Sequence, residues 1–151
     1  MQKELFMSNV RVNDRKPSKV EFDNTYYKIY DDAVNLIELN FGADKKFQEE
    51  HKSYLEVASK KIYAVVYDIG TNIRIANSIY PTCQSEAKER RLHQEKAIGL
   101  CYDLLTKYNL VMRRLKIRDD KYTLELKNVT HEINCLKRWK ESDDKRYKNL
   151  G

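Results

Sequence analysis

Residues 84–116 read QSEAKERRLHQEKAIGLCYDLLTKYNLVMRRLK, and the reading of this stretch decides the fold. It contains no Pro and a single Gly. Ile98, Cys101, Leu105, Tyr108, Met112 and Leu115 recur at alternating steps of three and four, which draws one apolar stripe along a long helix. At the usual rise per residue such a helix runs about 50 Å. Its stripe has to be covered by partner helices, so the rest of the chain should supply them.

It does. A first helix is predicted from Asp23 or Asn24, with Tyr26, Ile29, Ala33, Leu36 and Ile37 on one face. Asn40-Phe41-Gly42 stops it, with Gly42 suited to a C-terminal cap, and Asp44 can cap the next helix. A second helix is predicted from Lys45 to Ile79, lined by Leu55, Ala58, Ile62, Val65, Val66, Ile69, Ile73 and Ala76. Gly70 beside that stripe costs about 1 kcal/mol relative to Ala, which a close helix crossing or simple tolerance would explain. Pro81 ends the segment, and Ser85-Glu86 suits the start of the third helix. Arg118-Asp119-Asp120 makes a turn, and a fourth helix carries Tyr122, Leu126, Val129, Ile133 and Leu136 to about Glu141. Four amphipathic helices with short connections predict an all-α protein, an antiparallel up-down-up-down four-helix bundle. The expected division is a flexible N-terminal arm at 1–21, the bundle at 22–142 and a charged C-terminal tail at 143–151.

The chain has 151 residues, which favours one domain with a sizeable core. Hydrophobic residues make up 41%, too many for a wholly disordered chain, and charged residues 34%. The net charge of +6 is uneven: residues 1–87 hold 12 Lys and Arg against 13 Asp and Glu, whereas residues 88–151 hold 17 against 10. A basic second half points to an acidic partner, nucleic acid first; the plainer alternative is a solvated surface kept soluble by charge. Cys83, Cys101 and Cys135 form no Cys-x-x-Cys pair, and the first residues lack the apolar core of a secretory leader. A cytoplasmic protein without membrane association is expected.

On a helical wheel Arg90, Arg91 and Gln94 fall in line with the apolar stripe of the third helix. Either these turns overhang the end of the bundle or their guanidinium groups face a partner; an isolated buried charge is too costly. Lys60, Tyr63, Tyr67 and Arg74 form an outward stripe on the second helix, suited to phosphate contact with base stacking or to a protein interface. Signals for chemistry are weak. His51, His93 and His131 lie on different helices, no Glu-x-x-His is present, and neither a phosphate loop nor a nucleophile elbow occurs. No catalytic residue, metal or cofactor is expected, and the protein is read as not an enzyme.

Two segments carry a likeness. One is Ile75-Ala76-Asn77-Ser78-Ile79-Tyr80-Pro81, followed by Glu89-Arg90-Arg91, Gln94 and the run from Ala97 to Leu105, AIGLCYDLL. The other runs from Leu136 to Arg146, LKRWKESDDKR. Together they resemble the accessory variability determinant (Avd) family of diversity-generating retroelements, itself related to bundle proteins encoded by intervening sequences in 23S ribosomal RNA genes. The likeness spans about residues 24–146, leaving the N-terminal arm unmatched. It implies a homopentameric, positively charged four-helix bundle that binds a reverse transcriptase and nucleic acid (template RNA or cDNA). Such a protein is a non-catalytic accessory that supports mutagenic retrohoming. Carried onto this chain, it implies RNA or reverse-transcriptase contact by Arg90, Arg91, Lys137, Arg138, Lys140, Lys145 and Arg146. Charge and wheel position add Arg74, Arg113 and Arg114. The alternative is a protein–protein adaptor of the intervening-sequence group that does not bind nucleic acid.

Overall fold

The computed structural model describes residues 17–151, with side-chain surroundings from Phe22 onward except for Asp119. Among the described residues every regular element is helical. Five helices pack together: α1 Pro17–Glu38, α2 Lys45–Glu50, α3 Lys52–Ser78, α4 Gln84–Leu115 and α5 Thr123–Tyr147. The four long helices close a ring of neighbours, α1 beside α3 and α5, and α4 beside the same two, while short α2 leans on α3. One core fills the ring, from Phe22 through Ile69, Cys101 and Leu104 to Leu136 and Trp139.

Helix α1 starts earlier than the sequence predicts. Pro17 is its first described residue. Residues 17–21, read as part of the arm, are therefore helical; the remainder of that predicted arm lies outside the described residues. The helix buries Phe22, Tyr26, Ile29, Ala33 and Leu36. Phe22 stacks on Trp139 of α5 at 4.3 Å between ring centroids.

The stop at Asn40-Phe41-Gly42 forms as expected, but all three residues take positive φ (51°, 59° and 82°). For Phe41 this costs roughly 1–2 kcal/mol. The ring is fully buried, which returns about 1.5–3 kcal/mol. The Tyr122 hydroxyl also donates to the Phe41 carbonyl. Asp44 then caps α2, its Oδ1 accepting from Phe47 N at 2.8 Å.

The predicted helix from Lys45 to Ile79 is broken at His51, whose φ of −127° and ψ of 35° leave helical space. No Pro or Gly marks the break. It belongs to tertiary packing, since Phe47 on α2 is partly buried against the core. The buried stripe of α3 is the expected one, with Ala58 only partly covered. Gly70 marks a close crossing. Tyr26 lies across it and donates its hydroxyl to Val66 O at 2.9 Å, and a Cβ on Gly70 would collide with the Tyr26 hydroxyl oxygen.

Helix α4 ends on Lys116 in the left-handed region, with Lys116 N bonded to Arg113 O and Ile117 N to Met112 O, the two-bond pattern of a Schellman cap. Helix α5 does not stop near Glu141. It continues to Tyr147, and beyond it Gly151 O accepts from Gln84 N at 2.8 Å. The expected charged tail is thus mostly helix, docked on the start of α4.

Candidate nucleic-acid interface

The start of α4 and the end of α5 meet in a buried polar knot. Arg90 is 5% exposed, Gln94 0% and Asp143 5%. Arg90 Nε donates to Asp143 Oδ2 at 2.6 Å, and Gln94 Nε2 donates to the same oxygen at 2.6 Å. Arg90 Nη1 donates to the carbonyl of Ile79, the residue that caps α3, at 2.8 Å, and more weakly to Ala76 O at 3.3 Å, which also accepts from Ile79 N. Its guanidinium carbon lies 5.2 Å from the Trp139 ring centroid and 5.7 Å from that of Tyr147.

Arg90 is therefore removed from the expected contact set. The wheel places it correctly in line with the core, but it neither overhangs nor faces a partner. Its charge is buried and paired, and the pairing carboxylate lies in the segment expected to be tail. Arg90 with Gln94 and Trp139 with Asp143, drawn from two segments far apart in sequence, are in space one structural unit.

Two more expected contacts are partly spent. Arg91 Nε lies 3.0 Å from Asp144 Oδ1, and Lys140 Nζ lies 4.0 Å from Asp144 Oδ2, so two cations share one carboxylate at a half-exposed surface. Arg138 is exposed and donates to Cys135 Sγ at 3.4 Å.

The others keep their charge outward. Lys137, Lys145, Arg146, Arg74, Arg113 and Arg114 are all exposed. None of these six forms an ion pair with a described residue. On α5, Arg138 and Lys145 are seven residues apart, about 10 Å along nearly the same line of the helix, and Lys137 and Arg146 lie about 80–100° to either side of it. Lys137 Nζ donates to Tyr102 Oη at 3.0 Å, and Tyr102 is itself 47% exposed. A cation beside an exposed ring can meet a phosphate and a base together. At the far end of α4, Arg114 lies over Tyr54 and Phe47, 5.4 and 6.0 Å from their centroids. Arg74 lies apart on α3, which also carries the stacked pair Tyr63 and Tyr67. The outward cations thus form a strip on α5, a cluster at the end of α4 and a separate position on α3.

Glu132 is absent from the residues that the sequence singles out. It is fully buried on α5, and neither carboxylate oxygen finds a hydrogen-bond partner. Burial, helped by the charge of Asp23, pushes its pKa up to about 9, so it is protonated at neutral pH. Burial first, then Glu132, pushes the Cys101 thiol up as well. A signal for it exists: position 132 lies between Val129 and Leu136 at helical spacing, on the face read as core. Among the described residues no three His, Cys, Asp or Glu side chains converge as a metal site would require, and no helix is long and apolar enough to cross a membrane. No family model, curated protein or solved structure matches the chain.

Proposed function

We propose that this protein is a non-catalytic accessory subunit of a diversity-generating retroelement, binding its reverse transcriptase and its template RNA or cDNA during mutagenic retrohoming. The finer architecture proposed with it is an antiparallel up-down-up-down four-helix bundle, with α2 as an appendage, assembled as a cytoplasmic homopentamer. The observation that carries the reading is the set of outward cations that form no ion pair with a described residue, Lys137, Lys145 and Arg146 on α5 with Arg113 and Arg114 on α4. The sequence likeness supplies the partner class. A symmetric ring would repeat each patch around an axis and so strengthen its field for a polyanion. The polymerase chemistry belongs to the partner.

The test is filter binding of RNA across a salt series. Affinity in the sub-micromolar range is expected at low salt, with most of it lost by roughly 0.5 M, because each neutralised phosphate releases counterions. Absent or salt-independent binding would overturn the reading. One observation favours the adaptor alternative: Arg90, Arg91 and Lys140 are engaged within the molecule. A monomer or dimer without RNA affinity in light scattering and filter binding would support that alternative.

A further inference from the structure

A groove of about 550 Å³ lies between α3 and α4, at the end of α4 remote from the Arg90 knot. Its floor is apolar, made by Val57, Ala58 and Ile62 of α3 with Leu110 and Val111 of α4. Two of these are left in water: Val57 is 51% exposed and Leu110 57%. Its rim is cationic, with Lys61, Lys107, Arg113, Arg114 and Lys116 and no carboxylate among the lining residues. Among the described residues, Lys107 alone of these five forms an ion pair, with Asp103 one turn back at 3.0 Å.

The dimensions fit a helix. The lining residues span Tyr54 to Ile62 on α3 and Lys107 to Lys116 on α4, about 12–14 Å of each helix axis. That is a little over two turns, enough to seat the i, i+3 or i+4, and i+7 side chains of an amphipathic helix. Charge decides which helix. Another copy of this chain carries +6 overall, and its acidic helix α1, with five carboxylates against two Lys, already has its apolar face buried in its own core; residues 1–16 hold four Lys and Arg against two carboxylates, so neither offers the rim a free acidic apolar helix.

We infer that this groove docks an amphipathic helix of a partner protein, apolar on the buried face and flanked by Asp and Glu. The site goes beyond the RNA reading and does not depend on it, because its affinity comes from the apolar floor and only its selectivity from charge.

The test uses the full chain and a fluorescein-labelled helical peptide of about sixteen residues, with Leu at i, i+3, i+4 and i+7 and Glu on both flanks. Fluorescence anisotropy at about 0.15 M salt should show binding at least tenfold tighter than for a scrambled peptide of the same composition. The double substitution Val57→Asn with Leu110→Asn should weaken that binding at least tenfold. Both positions are exposed, so the melting midpoint should hold; both changes are neutral, so RNA affinity should hold too. Equal binding of the scrambled peptide would reduce the site to charge alone and overturn the proposal. So would unchanged peptide affinity in the double variant. An oligomer that this variant dissociates would make a second copy the occupant and overturn it as well.

Discussion

Helix α4 carries two pairs of adjacent arginines, Arg90-Arg91 near its start and Arg113-Arg114 in its last turn, and they meet opposite fates. Arg90 is buried on Asp143 and Arg91 is paired at the surface with Asp144. Arg113 and Arg114 stay in water, beside an apolar groove and two aromatic rings. The difference comes from the neighbouring helix ends. The last turns of α5 bring carboxylates to the start of α4, whereas no carboxylate lines the groove at its other end. The same dipeptide is thus a closure in one place and an open charge in the other.

Breaking the closure should have the largest effect. Arg90→Ala leaves Asp143 buried without its cation and should cost about 3–5 kcal/mol in a denaturant melt. A loss below about 1 kcal/mol, the range of a solvent-exposed pair, would mean the knot is not buried in solution. Arg90→Lys keeps the charge but loses the planar fork that reaches Asp143 and the α3 carbonyls together, and should cost about 1–3 kcal/mol.

A second comparison lies within α5, where Asp143 has partners and Glu132 has none. Glu132 has its folded pKa raised from 4.5 to about 9. The folded state therefore holds a proton that the unfolded chain gives up between those values. The stability this proton contributes is full below about pH 4.5 and is lost as pH rises through about 9, by at most about 1.4 kcal/mol per pH unit. Glu132→Gln should flatten that fall in melts run at several pH values; an unchanged slope would place the titration elsewhere. The smallest effect belongs to Arg91→Gln, which opens a half-exposed pair and should cost under about 1 kcal/mol by the same melts.

Much of the fold was legible because burial follows a helical period. The stripe of α3 and the Asp44 cap were readable from local spacing, whereas Gly70 left a close crossing and simple tolerance both open, and Tyr26 lying across it decides for the crossing. The break at His51 was not, because nothing in that sequence marks it and the cause lies in how Phe47 packs on the core. In α4 the buried line runs through Ala97, Cys101, Leu104, Tyr108 and Val111, turned slightly from the expected one, which leaves Ile98, Leu105 and Leu115 half-covered. The knot was half legible. Arg90 and Gln94 could be placed on the inward face, but their partner lay in a segment of Ser, Asp and Lys that reads as solvated tail. Only tertiary contact makes Asp143 a core residue. The open cations on α5 and at the end of α4 were readable as charge, and their lack of ion pairs with described residues was not, since that depends on which helices become neighbours.

The opposite fates of the two arginine pairs can be measured in one experiment. RNA binding across a salt series and denaturant melts should be run on the parent chain, on Arg90→Lys and on Arg113→Gln with Arg114→Gln. The Gln pair should lower the slope of log K against log salt by about two and cost no more than about 1–2 kcal/mol of stability through the lost helix-end charges. Arg90→Lys should lose stability and keep the parent slope. A Gln pair that binds RNA with the parent's affinity and slope, or an Arg90→Lys that loses RNA binding while melting like the parent, would contradict the account.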